Sequence, residues 1–232
     1  MWEGANVLER TTHPYYGTIW DREGKEMSFK DQYRVDFLTD RAVRFLEQPQ
    51  EKPFFLYISQ PEPHFQNDLN TVVGPKGMTD KYQNPIVPSD LSSLPDVWQQ
   101  QLPDYYAAIE RIDQSVGRIV ETLGKQDLLD NTIFLFTSDH GCHFGTRENN
   151  YKRTPPRQLD PHTHAPSGPG LPANRRIGSI VGNINITPTL LALCGLQTPA
   201  SMKGRSMVSL INSLDWRGGM EKPRINSVQP DQ

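Results

Sequence analysis

The residues with the most chemical content form the tetrapeptide Ser138-Asp139-His140-Gly141, just beyond the apolar run Ile133-Phe134-Leu135-Phe136. A strand ending there delivers a carboxylate and an imidazole to the carboxyl edge of a sheet, where open α/β folds place their ligands. One carboxylate beside one imidazole is a ligand pair for a hard divalent metal. Gly141 lets the backbone turn sharply or approach a ligand closely. Asp-His-Gly can equally be a simple turn, so its neighbours decide. His64 lies five residues after Ser59, within Pro61-Glu62-Pro63-His64. Lys152 follows within Asn150-Tyr151-Lys152-Arg153. If the two apolar runs before these residues are neighbouring strands, His64, Asp139, His140 and Lys152 converge on one sheet edge. One carboxylate with three potentially cationic groups, or two if an imidazole binds metal, suits a dianionic ester. Metal and cations would neutralise charge developing on the oxygens, and a His or Lys could protonate the leaving group. Taken singly, His64 reads as a loop histidine, Lys152 as a solvated charge and Cys142 as a small packing residue. Alternation places His143 away from Asp139.

The elements that must position these groups follow from periodicity. Residues 1–26 are polar and aromatic, broken by Gly17 and Gly24, and read as an irregular lead-in, a loop or a poor hairpin. From Ser28 to Gln48, Val35, Leu38, Ala42, Phe45 and Leu46 recur at helical spacing. Pro53 to Ser59 is a short continuous apolar run, suited to a strand buried on both faces. Residues 60–100 are rich in Pro, Asn, Asp, Gln and Ser; so long an irregular stretch is functional or disordered. A second helix is predicted from Pro103 to about Lys125, with Gly124 as its cap. A second strand is predicted over Thr132–Thr137, and a last helix over Thr187–Cys194, ended by Gly195 with Pro188 in its first turn. Helix, strand, loop, helix, strand is the rhythm of a parallel α/β sheet. The polar stretch 213–232 reads as a disordered tail.

Bulk properties exclude several classes. The 232 residues suffice for one large domain or a domain with a tail. A formal charge of -3 leaves no nucleic-acid or anionic-membrane footprint. No apolar run is long enough to span a bilayer, and the first residues have neither a basic start nor an apolar stretch typical of a signal peptide. The hydrophobic content of 35% is low for a compact domain, and 20 prolines point to long loops. The two cysteines, Cys142 and Cys194, make no disulfide framework and leave the redox compartment open.

Several segments, in order, resemble the C-terminal part of the catalytic domain of type I sulfatases, in the alkaline-phosphatase-like superfamily. They are Tyr33-Arg34-Val35-Asp36 with Leu38-Thr39-Asp40; Pro53 to Tyr57 followed by Pro63-His64; and Tyr106 through Asp113 with Val116-Gly117. Next come Asp130-Asn131-Thr132 with Thr137-Ser138-Asp139-His140-Gly141, and Tyr151-Lys152-Arg153. Pro188-Thr189-Leu190-Leu191 with Gly195, then Met202-Lys203-Gly204-Arg205-Ser206, complete the set. The resemblance implies an α/β fold, a mostly parallel sheet flanked by helices, here incomplete. It implies a partial catalytic domain over 27–212 that cleaves a sulfuric ester on a small molecule or glycan, with no nucleic-acid or membrane partner. Asp139 resembles the metal-ligand Asp and His140 its partner; the metal is normally calcium. His64 resembles the His that contacts the sulfate and its leaving oxygen, and Lys152 the later sulfate-contacting Lys. Family members are often periplasmic or secreted.

The chain departs from that pattern in two places. The family's nucleophile is a formylglycine made within Cys/Ser-x-Pro-x-Arg, and here Cys142 is followed by His-Phe-Gly and Cys194 by Gly-Leu-Gln. The paired Asp ligands of the first strand are also missing. The expectation is a chain that starts partway through the enzyme and is inefficient alone, since loss of a nucleophile can cost about a million-fold. Second, one bacterial branch follows Tyr-Lys-Arg with a His-Asp-Ser-Ser-Ile-Arg-Ile-Pro-like strand, where this chain has Pro156 to His164. Written CCA CGA CAG CTC GAT CCG CAT ACC CAC and read one base later, those residues become that strand. A frameshifted patch over about 156–167 is therefore expected, with His162-Thr163-His164 no metal site and its prolines opposing strand pairing. Two other readings stay open: a phosphodiesterase or phosphonate hydrolase of the same superfamily, and a non-catalytic module that binds an anion or metal.

Overall fold

The computed structural model describes residues 2–5, 11–87, 91–92, 98–142, 144, 164–174, 177–179 and 181–213. The chain divides into two compact units, residues 1–129 with 142–158 and residues 130–141 with 159–232.

The first unit is built on two helices and a hairpin. Helix α1 (Arg34–Leu46) buries Val35, Thr39, Ala42 and Leu46, one stripe at helical spacing. Helix α2 (Trp98–Lys125) buries Ala108, Ile112, Ser115, Ile119 and Leu123 at the same spacing. The two stripes meet where Thr39 Oγ1 and Ser115 Oγ lie 2.5 Å apart. Ion pairs flank the contact, with Arg111 Nε 2.8 Å from Asp36 Oδ1 and Arg118 Nη2 2.5 Å from Asp40 Oδ1.

Helix α1 starts six residues later than the apolar period suggests, because Glu26–Lys30 is a strand. This strand, β3, pairs antiparallel with β2 (Tyr16–Asp21), and β1 (Glu3–Gly4) adds on the other side of β2, giving a sheet of order β1-β2-β3. Of the loop or poor hairpin expected over 1–26, the described part from Tyr16 leads into a well-paired hairpin with Glu26–Lys30. Its turn closes because Asp21 Oδ1 accepts from the amides of Glu23 (3.0 Å) and Lys25 (2.8 Å), while Gly24 takes φ +78°. Ile19 and Phe29 are buried on one face, and Phe29 stacks on Phe37 of α1 with ring centroids 4.5 Å apart.

Helix α2 begins five residues before Pro103, which lies inside it and removes one intrahelical bond. Its end is not capped by Gly124. Asp127 takes the left-handed conformation (φ 55°), and Leu128 N donates to Leu123 O at 2.9 Å. An Asp tolerates that conformation better than most side chains.

The stretch after residue 60, expected to be structureless, is irregular but pinned. Tyr33 donates its hydroxyl to Val73 O at 2.8 Å. Asp104 Oδ1 accepts from Gly74 N (3.0 Å) and Thr79 Oγ1 (2.8 Å). Phe65, Gln66 and Val72 are buried beneath it. The Phe54–Ser59 run alternates in exposure residue by residue, with Phe55 and Tyr57 outward. It is not the expected doubly buried strand, for it carries no ladder among the described residues.

In the second unit, β4 (Phe134–Phe136) pairs antiparallel with β5 (Ala165–Ser167), setting Leu135 against Pro166. The prolines of that stretch were expected to oppose pairing, yet Pro166 is accommodated because β5 is an edge strand. Gly168 follows at φ +134°, where a Cβ would lie 2.4 Å from Thr132 O. Helix α3 (Ile186–Leu193) ends at Gly195 (φ +71°) in a Schellman turn, Leu196 N donating to Leu191 O at 2.8 Å. Helix α4 (Val208–Asn212) follows. Gly204 sits so close to the chain that a Cβ would lie 1.9 Å from Ile184 O.

The chain is thus an incomplete α/β domain of helices and small sheets. The ladders among the described residues are antiparallel, and no helix among them is long and apolar enough to cross a membrane.

Candidate functional site

His64 closes a turn in which its amide donates to Pro61 O at 2.9 Å, across a cis Glu62–Pro63 peptide. The turn hangs on Arg34, at the start of α1, a residue to which the sequence motifs assign no role. Arg34 is fully buried and Glu62 is 6% exposed. Arg34 Nε donates to Glu62 Oε1 at 3.0 Å, and Nη2 lies 2.9 Å from the same oxygen. Nη1 donates to Thr12 O at 2.8 Å, and the Arg34 amide donates to Pro14 O at 2.7 Å. One guanidinium therefore ties together the helix start, the Thr12–Pro14 turn and the residue two before His64. Burial pushes the Glu62 carboxyl up, and the Arg34 guanidinium beside it, with its hydrogen bonds, pulls the other way. Beyond His64, Gln66 exchanges backbone hydrogen bonds with Thr71 at 2.8 and 3.3 Å. Asp68 Oδ2 lies 3.1 Å from His13 Nδ1.

Asp139 and His140 follow β4 in the second unit. The His140 amide donates to Asp139 Oδ1 at 2.8 Å, and His140 Nε2 lies 3.3 Å from Asp139 Oδ2. His140 Nδ1 lies 2.8 Å from Gly141 O. A carbonyl only accepts, so Nδ1 carries the proton in the neutral ring and Nε2 presents its lone pair. Donors about 3 Å apart suit one hard ion with bonds of about 2.3–2.6 Å. The Asp139 side chain is 83% exposed, so these are two outward donors rather than a closed cage. No group of three or more His, Cys, Asp or Glu able to hold a metal occurs among the described residues. Asn183 Nδ2 reaches Asp139 O at 3.5 Å, and Thr137 Oγ1 meets His164 Nδ1 at 2.8 Å.

Lys152 and His143, like most of the expected frameshift patch, lie outside the described residues. His64 belongs to one unit and the Asp139–His140 pair to the other. Cys142 packs beside a buried cluster of Leu91, Trp98, Leu102 and Phe144, as a packing residue would, and Cys194 is exposed. Sequence reasoning missed Arg34 and Glu62. The available signal was a pair of charges at otherwise core-facing positions, Arg34 beside Val35 and Glu62 between two prolines.

Comparison with known proteins gives a consistent picture. The Sulfatase family model matches residues 1–196. The chain is similar to N-acetylglucosamine-6-sulfatase of Bos taurus, 26% identical over 93% of this chain and 43% of that protein. In structure it is similar to a Bacteroides thetaiotaomicron "4S-sulf" from a study of glycosaminoglycan metabolism, with a TM-score of 0.73 and 24% identity over 94% of this chain and 45% of that one. A second structure, BT4656 in complex with its substrate D-glucosamine-2-N,6-O-disulfate, gives a TM-score of 0.64 and 19% identity over 93% of this chain and 60% of that one. The chain spans 33% and 43% of the length of the first two curated relatives it matches.

Proposed function

Because the chain belongs to the sulfatase family, we propose that the protein hydrolyses sulfuric esters carried by sugars, and that this chain supplies part of the site. What supports the reading is the ordered family match over residues 1–196 together with the buried Arg34–Glu62 pair that fixes the turn bearing His64. The sugar substrate is supported by the names of its relatives, one bound to a sulfated glucosamine.

In this reading His64 gives its proton to the leaving alcohol oxygen, which would otherwise depart as an alkoxide. Lys152 offsets negative charge on the sulfate oxygens. Asp139 and His140 hold two positions of a divalent ion, calcium by family precedent, whose role when bound is to polarise the sulfate. Arg34 and Glu62 keep the His64 turn in place. The chain has no Cys/Ser-x-Pro-x-Arg segment, so by itself it binds rather than turns over.

The test measures sulfate release from 6-O-sulfated glucosamine and from 4-nitrophenyl sulfate. The 232-residue chain should stay at the metal-only blank. The same chain joined to the family's nucleophile-bearing segment should release sulfate, and His64→Ala should lower that rate by about a hundred-fold or more. Faster turnover of a phosphonate monoester or phosphodiester than of either sulfate would overturn the reading, as would sulfate release untouched by His64→Ala.

A further inference from the structure

The hairpin of the first unit carries a surface that the proposed chemistry does not use. Tyr16, Thr18 and Trp20 alternate along β2, and the register sets them opposite Lys30, Ser28 and Glu26 of β3. All six therefore share one face, while Ile19 and Phe29 lie buried on the opposite face, Phe29 stacked on Phe37 of α1. Tyr16 is 55% exposed, and its ring stacks on His13 with centroids 4.4 Å apart and planes 23° apart. Thr18 Oγ1 and Ser28 Oγ form a hydroxyl pair at 3.0 Å. An open cleft of about 620 Å³ lies here, lined by these rings and hydroxyls and by Lys30 and Asp31. That volume falls within the range of small-molecule sites, which combine apolar walls with a few placed polar groups.

The chemistry of the lining is specific. Flat aromatic rings offer an apolar platform with a polar edge, which matches the C–H face of a pyranose. Hydroxyls and a carboxylate bond sugar hydroxyls as donors and acceptors. An ammonium on a flexible stem meets an acidic substituent as a point charge. Position adds a second argument. The same segment that supplies His13 and Tyr16 is tied to Glu62 of the His64 turn through Thr12 O and Arg34, and to Asp68 beyond it through the His13–Asp68 contact at 3.1 Å. The cleft therefore belongs to a segment anchored on either side, in sequence, of the group read as the proton donor.

We propose that this cleft is a carbohydrate subsite: a sulfated oligosaccharide lies along the face, one sugar ring on Tyr16 with its acidic substituent at Lys30 and the next ring toward Trp20. The identity of the ligand as a sulfated glycan rests on the sulfatase reading above; the binding face itself rests on the hairpin. It gives the chain a way to select for the residue next to the scissile ester rather than for the ester alone.

The test uses the 232-residue chain and needs no turnover. The indole N–H resonance of Trp20, assigned by its loss in Trp20→Phe, is followed against a sulfated glucosamine–uronate disaccharide, its unsulfated counterpart and inorganic sulfate. A saturable shift with the sulfated disaccharide is expected, weakened about ten-fold or more in Tyr16→Ala. Lys30→Gln should remove the advantage of the sulfated over the unsulfated sugar. If Tyr16→Ala disturbs the hairpin amides, Thr18→Arg, which fills the cleft from a half-exposed position, should abolish the shift instead. Undiminished binding in these variants, no shift with either disaccharide, or the same shift with inorganic sulfate alone would overturn the subsite. Sulfate release from the joined enzyme without sugar binding here sinks the subsite alone; sugar binding here without sulfate release sinks only the sulfatase reading.

Discussion

Arg34 Nε donates to Glu62 Oε1 at 3.0 Å with both side chains sealed from water. A buried pair of this kind is weak evidence for net stability, because desolvating two charges costs several kcal/mol that their attraction only offsets. Its value lies in geometry: it fixes where the His64 turn sits relative to α1. Arg34→Met strands the Glu62 carboxylate and should cost about 3–5 kcal/mol of unfolding free energy. The double variant Arg34→Met/Glu62→Leu should recover most of that loss. Denaturant midpoints of the three proteins check this, and a double variant no better than the single one would contradict it.

The same pair makes a pH prediction with a definite sign. In Arg34→Met the downward pull on Glu62 is gone and the upward push of burial remains. A carboxyl raised above its unfolded value stabilises the fold below that value, and the contribution is lost as pH rises through the folded pKa. The stability of Arg34→Met should therefore be greatest in mild acid and fall toward neutrality relative to the parent. Thermal midpoints of both proteins across that window measure it; parallel profiles would show that Glu62 does not titrate there.

Calcium should stabilise the second unit through Asp139 and His140. At ten times its dissociation constant, an ion that binds only the folded state adds about 1.4 kcal/mol. A melting point that rises with calcium in the parent and not in Asp139→Asn is the expected outcome. Equal shifts in both would place the ion elsewhere.

Glycine tolerance should split sharply. Gly204→Ala drives a methyl into the Ile184 carbonyl, with 1.9 Å available, and should destabilise by about 1–3 kcal/mol. Gly117 lies within α2 with nothing inside 4 Å of its would-be Cβ, so Gly117→Ala should stabilise by about 0.5–1 kcal/mol. Chemical denaturation of the two variants decides, and similar effects would mean that the Gly204 segment relaxes freely.

What the sequence made legible was whatever local periodicity governs. Both long helices, the short α3 and the strand before Asp139 follow from spacing of apolar side chains over one or two turns. The hairpin was harder, because Gly17 and Gly24 read as breakers when one sits in the strand and the other completes an Asp21-capped turn. The packed course of residues 60–87 was illegible for a different reason: its order comes from Tyr33, Asp104 and Glu110, all distant in sequence. The motifs singled out His64, Asp139 and His140 as candidates and gave Arg34 and Glu62, which lie inside the quoted segments, no role. No local pattern announces that two charges separated by 28 residues will be buried against each other.

The alternation of Phe55 and Tyr57 toward solvent has a consequence for handling the molecule. Two large rings, 78% and 77% exposed on a segment that carries no ladder among the described residues, present an adhesive ribbon to any similar chain. Purified material should cluster as its concentration rises, as light scattering would register. Replacing Phe55 with Lys should keep it dispersed while leaving α1 and α2 intact by circular dichroism.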